Sequence, residues 1–423
     1  MLVKHTKMTL ITNKVIKSVN QNFIPNETVL KMMEIFRCMV NHCIRIGLEN
    51  DATTLKRLSS VSYSKLGQYN ILSYYKLHAI SKAAVILSNR KQSLKRNIHT
   101  KNPYLKKPIL VSCYGFKYKN GVLSIPLGNK NYLDVPLNDY CNEILSVDPQ
   151  IKIRSFILTP NTINISYSKT TGQIKCNDTI GIDRNLKNLT VGNFEKVIQY
   201  DLSKTVKIIE NTKSIYSSFK RNDSRIKKRI YSKYGSRRKN RINQILHKVS
   251  KTVVETAVKN GNAIVFEDIR HIRKLYQKGN GQGKNHRAKM NSWSFFEIKR
   301  QIEYKSRWVG LPIIQLSKKE TRGTSILCPK CGKRLQEQGT WKNSDQNREL
   351  WCESCQRWLD RDVVAVMNQS LRGLSRFDSS KGDASEAVKR NVENIPLILQ
   401  VDASKSSLCQ RRIDRTCTLY HHY

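Results

Sequence analysis

The sequence predicts an α/β multidomain protein, and three observations carry that expectation. Apolar residues recur at helical spacing over residues 25–100 and at the alternating spacing of strands over 101–177. From Asp178 onward, strand-like runs alternate with helical ones. The last segment is interrupted by two Cys-x-x-Cys pairs, Cys328/Cys331 and Cys352/Cys355. A chain of 423 residues has room for several domains with their own cores.

Asn26, behind Pro25, is placed to cap a helix carrying Leu30, Met33, Val40, Cys43 and Ile44. A second helix carries Leu72, Tyr75, Ala79, Ala83 and Ile86 and runs into the basic stretch Arg90–Arg96. In Cys113–Leu127, Asn120-Gly121 separates two strand-like runs, the signal of a two-residue hairpin. Thr162–Ser168 alternates Ile163, Ile165 and Tyr167. These strands predict a β-barrel-like domain or antiparallel sheet over 1–24 and 101–177. Residues 8–18 share the pattern and are expected to add a strand, which makes 25–100 a helical insertion.

Three short strands open the next segment, "DTIGID", "NLTVGN" and "KVIQYD". Lys204–Lys251 then holds 16 Lys/Arg and two acids in 48 residues. Ile230, Ile242, Ile245 and Val249 give it an apolar stripe, so it reads as a basic helical hairpin with one face on a core and the other on phosphates. A solvated face without a ligand is the alternative. A buried strand follows at Asn262–Asp268. The glycine-rich Gln277–Lys289 is expected to be a mobile loop that orders on nucleic acid. Trp293–Gly310 reads as an amphipathic helix, "LPIIQLS" as a strand and Asp362–Leu371 as a short apolar helix. The last fifty residues contain an apolar run at Ile395–Ala403, to which the sequence assigns no role.

Charge narrows the function. Against 76 Lys+Arg stand 32 Asp+Glu, a net +44, and a compact protein so charged repels itself unless a polyanion is present. Nucleic acid is the expected partner, whether the protein is a binder or an enzyme. No apolar run approaches the ~18–20 residues that span a bilayer. The N-terminal stretch has no signal-peptide pattern, so a soluble intracellular protein is expected. Of the eleven cysteines, the seven outside the two pairs are scattered and read as thiols rather than bridges.

Two groups of residues carry chemistry. Cys328, Cys331, Cys352 and Cys355 have the spacing of a structural Zn²⁺ site, with a redox pair or an iron–sulfur cluster as the alternatives, and four sulfur ligands on zinc leave no position open for catalysis. Lys330, Lys333, Arg334 and Arg348 surround this clip as candidate nucleic-acid contacts. Asp183 and Glu267 end apolar strands, and Asp362 opens a helix. Three such carboxylates can bind two Mg²⁺ ions and hydrolyse a phosphodiester. Singly, each also fits a structural role: a turn residue, a surface acid, an N-cap.

At these residues the sequence resembles the TnpB family, transposon-encoded RNA-guided DNA endonucleases related to small type V CRISPR effectors. "GIDRNLKNLTVGN" (Gly181–Asn193), "IVFEDIRHIRK" (Ile264–Lys274) and "LDRDVVAVMNQS" (Leu359–Ser370) resemble its three RuvC-like motifs. "TSILCPKCG" with "LWCESC" resembles its zinc ribbon. The resemblance spans about residues 178–372. It implies an RNase H-like (RuvC) nuclease core at 178–327 and 359–375, an inserted ribbon at 328–358 and a tail of unknown role at 376–423. Asp183, Glu267 and Asp362 would be the catalytic Mg²⁺ triad, with Asp360 and Asp268 as neighbours. Cleavage would leave a 5′-phosphate and a 3′-hydroxyl. Val364 and Val366 depart from the family's commoner Asn and Ala, which is expected to alter packing rather than activity.

The resemblance further implies a guide RNA derived from the transposon end and a double-stranded DNA target beside a short adjacent motif. It implies one monomer per guide and a prokaryotic cytoplasmic, nucleoid-associated location. The β-barrel-like domain would recognise the RNA scaffold and the adjacent motif, and the helices would cover the guide–target duplex. Lys220, Arg221, Arg225, Lys228, Arg229, Arg237 and Arg238 are the candidate backbone contacts. Tyr74, Tyr75 and Tyr104 are candidates for stacking on bases or for core packing. A nuclease-inactive DNA-binding regulator and a small CRISPR effector remain the alternatives. A strand-joining transposase is disfavoured, because no His-x-His and nucleophilic Tyr pairing is apparent.

Overall fold

The computed structural model describes residues 13–219, 223–270, 272–336, 348–378, 396–404 and 410–412. The chain divides into two compact units, Lys14–Thr170 and the residues from Thr171 onward. Among the described residues no helix is long and apolar enough to cross a membrane.

The first unit opens with β1 (Asn13–Asn22) and the helices α1 (Glu27–Glu49), α2 (Leu55–Ser62) and α3 (Ser73–Lys95). Asn26 caps α1 by accepting from Val29 N at 3.0 Å. The strands β2 (Leu110–Ser112), β3 (Lys117–Lys119), β4 (Val122–Gly128) and β5 (Asn131–Pro136) follow. Then come α4 (Asp139–Ser146), β6 (Lys152–Leu158) and β7 (Thr162–Thr171). They form a four-stranded sheet, β1-β7-β6-β2, and a three-stranded one, β3-β4-β5. Since β1 pairs beside β7, the three helices interrupt this sheet in sequence. Asn120 and Gly121 both have positive φ (49° and 77°) in the two-residue turn that pairs Lys119 with Val122. Tyr75 is buried and donates to Pro126 O at 2.9 Å, so it is a core residue, whereas Tyr104 is exposed.

The second unit is built on a seven-stranded sheet. Its elements are β8 (Asp178–Arg184), β9 (Asn188–Gly192), β10 (Lys196–Asp201), α5 (Ser203–Ser218), α6 (Ser224–Lys259) and β11 (Asn262–Phe266). They continue through α7 (Lys284–Asn291), α8 (Phe295–Val309), β12 (Ile313–Gln315), α9 (Lys318–Thr321), β13 (Glu349–Cys352) and β14 (Arg357–Asp360). The last are α10 (Arg361–Asp378), β15 (Leu397–Asp402) and β16 (Gln410–Arg412). The order is β12-β11-β8-β9-β10-β15-β16. β8, β9 and β10 form an antiparallel meander, while β11 and β12 run parallel to β8.

A large apolar cluster joins the sheet to α6 and α8. Ile182, Ile264 and Phe266 meet Leu246, Val249, Val253, Ile298 and Ile302 there. A smaller cluster gathers Val363, Val366 and Met367 of α10 with Phe194 and Val197. α10 also lies close to β8: a Cβ at Gly181 would sit 2.3 Å from Val366 O. Ser370 Oγ donates to Thr179 O at 2.7 Å and fixes the same contact.

Two expectations change. The run at Ile395–Ala403, to which the sequence assigns no role, supplies β15, which pairs in parallel with the whole length of β10. Its alternating apolar residues Leu399 and Val401 are buried, which a short isolated run could not reveal. The glycine-rich Gln277–Lys289 is not all loop. Gly279 and Gly281 take positive φ, but α7 begins at Lys284, where glycines give way to helix-forming residues.

Candidate functional site

The parallel register of β8 and β11 pairs Ile182 with Phe266, so the next residue of each strand, Asp183 and Glu267, emerges at the same sheet end. Asp362 lies in the first turn of α10, which packs on β8. All three acids line one cleft of about 530 Å³. Asn185, Lys187, Tyr276, Trp293, Thr324 and Arg348 also line it. Asp360 stands apart as the N-cap of α10, accepting from Asp362 N at 2.8 Å and Val363 N at 3.2 Å. Asp268 turns to Arg270, whose guanidinium pulls its carboxyl down to about 2.

Burial dominates the electrostatics of the three acids. It raises Asp183 well above the ordinary carboxylate range, and the charges of Glu267 and Asp362 raise it further. Burial also raises Glu267, against the opposing pull of Arg184, and raises Asp362, against that of Arg348. Negative charge held together in a poorly solvated cleft favours a multivalent cation.

Sequence reasoning missed the residues that hold the acids. Asn185 donates to Asp183 Oδ2 at 2.7 Å and Asn188 to Asp362 Oδ2 at 3.1 Å. Their signal in the sequence is two asparagines in the tight turn after Asp183, residues that such a turn favours whether or not they hold anything. Arg348, a candidate nucleic-acid contact, donates to Asp362 Oδ1 at 2.8 Å. Arg184 is almost wholly buried in the wall, donating to Glu267 O at 3.1 Å and lying 3.9 Å from Glu267 Oε1.

The residues present fit divalent cations. The donor set is carboxylate oxygen, which suits hard ions, and Asn188 Oδ1 is buried without a hydrogen-bond partner. Among the described residues, the four sulfurs of Cys328, Cys331, Cys352 and Cys355 lie within 4.8 Å of one another. Cys328–Cys355 and Cys331–Cys352 are 3.8 and 3.5 Å apart. Four ligands at ~2.3 Å around a tetrahedral Zn²⁺ stand about 3.8 Å apart, so the cluster fits one such ion. Residues after each second cysteine, Gly332 (φ 73°) and Gln356 (φ 47°), turn the chain in the left-handed region. Val364 of α10 is buried in the same apolar cluster as Cys328, Leu335, Leu350 and Cys352. Asn368 adds hydrogen bonds of 2.8 Å to Thr324 O and Leu327 O. The cysteine ribbon is therefore fastened to the helix that carries Asp362.

Of the basic candidates, Arg225, Lys228, Arg229 and Arg237 are exposed on α6 and Arg238 is half-buried. None of them lines the acidic cleft. Lys220 and Arg221 lie outside the described residues.

The cleft belongs to an α/β unit whose sheet end gathers acids under a cysteine ribbon. A family model for the Cas12f1-like TNB domain matches residues 295–369. A TnpB-like protein of Methanocaldococcus jannaschii is 29% identical over 268 residues, 60% of this chain and 91% of the relative. A second TnpB-like protein of that organism is 24% identical over 340 residues, covering 75% of this chain and 73% of its own. Among solved structures, a cryo-EM structure of a Cas12f1–sgRNA–target DNA complex matches with a TM-score of 0.53 and 16% identity. The match covers 81% of each chain and indicates a shared fold. The chain is thus similar to TnpB-like proteins, and residues 295–369 to the Cas12f1-like TNB domain.

Proposed function

We propose that this protein is an RNA-guided, Mg²⁺-dependent DNA endonuclease of a transposon, cutting target DNA next to a short adjacent motif. The observation that carries the reading is the meeting of Asp183, Glu267 and Asp362, far apart in sequence, in one cleft. Two magnesium ions, when bound, would supply an activated water and charge stabilisation for the leaving oxygen. The three carboxylates would hold them. Asn185 and Asn188 orient Asp183 and Asp362, and Arg184 holds the backbone of Glu267 from within the wall. The domain scheme goes with this reading: a RuvC-like core closed by a structural zinc ribbon, and an N-terminal β-barrel-like domain with a helical insertion for RNA and adjacent-motif recognition.

The TnpB relatives and the fold shared with a guide-bound nucleoprotein support the choice of RNA and DNA as partners. The presence of all three acids weighs against a nuclease-inactive DNA-binding regulator, and a small CRISPR effector would share the same cleft. The test is cleavage of a matched DNA target by the protein assembled with its flanking transcript, beside Asp183→Ala, in magnesium and in EDTA. Cutting lost in both controls supports the reading. A target bound and left intact in every sample transfers it to the regulator.

A further inference from the structure

A second cavity opens beside the acidic cleft. It encloses about 370 Å³ and is lined by Arg270, Ile272, Arg273, Lys274, Gln277 and Phe296. Ile272 lines the acidic cleft as well, so the two cavities share a wall. The volume falls in the range, ~300–1,000 Å³, of pockets that hold small ligands. Phe295 and Phe296 open α8, and successive helix residues point about 100° apart, so both cannot face the core. Phe295 is buried, and Phe296 keeps 47% of its surface exposed. The buried ring packs against the exposed one at 4.2 Å and fixes it in the cavity wall.

The rim carries charge that the protein does not match. Arg270 pairs with Asp268 at 2.6 Å. Among the described residues Arg273 and Lys274 have no acidic partner, and Arg273 lies over the Phe295 ring at 5.5 Å. An exposed ring beside two unmatched cations selects its ligand. A bare inorganic anion would pair with the cations and leave the ring uncovered. A purely apolar molecule would cover the ring and leave the charges unmatched. A nucleotide meets both, with a base face for Phe296, a phosphate for Arg273 and Lys274, and a base edge for the Gln277 amide. Within a double helix both faces of a base are covered by its neighbours, so the ring is open only to an unpaired nucleotide.

We propose that this cavity is a subsite for one unpaired nucleotide of a strand whose neighbouring phosphate lies among the three acids, with Phe296 stacking on its base. Placing that phosphate among the acids rests on the nuclease reading, while the stacked base does not. Phe296 is then a residue that selects where a strand is engaged. A strand seats where a base can leave its neighbours for the cavity, and a stretch held in continuous stacking does not.

The test uses full-length protein without added magnesium and a thymidine tetranucleotide with 2-aminopurine at one internal position, a base whose fluorescence falls when it stacks. Wild type should quench the probe. Phe296→Leu should abolish the quench and weaken binding, measured by calorimetry, about 5–150-fold, the loss of one base–aromatic stack. Phe296→Tyr keeps a ring and should match wild type, which guards against loss through misfolding. Arg273→Ala combined with Lys274→Ala should lower the slope of log K against log salt by about 1.4, at ~0.7 per contact with a single strand. Affinity for a tetranucleotide abasic at the probe position, and for a hairpin duplex, should not depend on Phe296. Quench and affinity unchanged in Phe296→Leu overturn the proposal, as does an equal loss for the abasic strand or the duplex. Free 2-aminopurine nucleoside monophosphate binding as tightly as the tetranucleotide also overturns it, since the ligand is then not part of a strand. No cutting enters these measurements. A protein that shows the Phe296 dependence but cleaves nothing keeps the stacked base and loses the nuclease reading, and one that cleaves without the dependence keeps the nuclease reading and loses the subsite.

Discussion

At the scale of single residues, the acidic cleft is a balance between carboxylates and the groups that restrain them. Asp362 is held between Arg348 and Asn188, so the guanidinium occupies oxygens that a cation would share. In Arg348→Ala, Mn²⁺ affinity measured by calorimetry should rise while cleavage falls about 10–100-fold, because the carboxylate loses its fixed orientation. Asp183 supplies a pH prediction. Its folded-state pKa is raised, by burial first and then by Glu267 and Asp362. Its ionisation therefore destabilises the metal-free fold progressively as pH rises from the ordinary carboxylate range through the raised value. Thermal melts without magnesium should show Asp183→Asn more stable than wild type at neutral pH and the difference shrinking in mild acid. Added magnesium should raise the wild-type melting temperature more than the variant's.

The sequence showed the acids but not their holders, for a physical reason. An acid at the end of an apolar strand is exceptional, whereas asparagine in a tight turn and arginine beside a ribbon are ordinary. Only the register of β8 against β11 and the packing of α10 turn Asn185, Asn188 and Arg348 into parts of one site.

At the scale of elements, the ribbon and α10 act together. Val364 lies in the cysteine cluster and Val366 in the sheet cluster, so the two valines fill opposite sides of one helix. Zinc removal by a strong chelator, or Cys331→Ser, should loosen α10 and abolish cleavage with Asp183, Glu267 and Asp362 all intact. Protection of the α10 amides from hydrogen exchange is the readout that separates this from loss of magnesium. The opposite side of α10 is equally tight. Gly181→Ala would drive a methyl against Val366 O and should cost about 1–3 kcal/mol, seen as a lower denaturation midpoint. Helix and strand periods made most of these elements legible, and Asn120-Gly121 and Gly310 marked their ends. α2 and α4 escaped because each is eight residues long, too short to display a period.

At the scale of the whole molecule, a net charge of +44 and a polarised long helix place this chain among proteins that hold their form best when bound. Free protein should therefore gain thermal stability when a polyanion such as heparin is added at low salt, and lose that gain at high salt. Composition made this partnership legible, while the sheet's final order was hidden. β15 lies beside β10 although about 200 residues separate them, and no local pattern reveals a pairing so remote.

That remote pairing bears on how the protein comes into being. During synthesis at roughly 5–20 residues per second, the edge of β10 emerges and waits on the order of 10–40 seconds for its neighbour. Through that interval the nascent chain carries an unpaired strand edge open to other chains. The ribosome, or whatever binds the chain as it leaves, becomes part of its assembly. Moving Leu397–Asp402 upstream by circular permutation would close the sheet early, and a higher yield of soluble protein would measure what the natural order of synthesis costs.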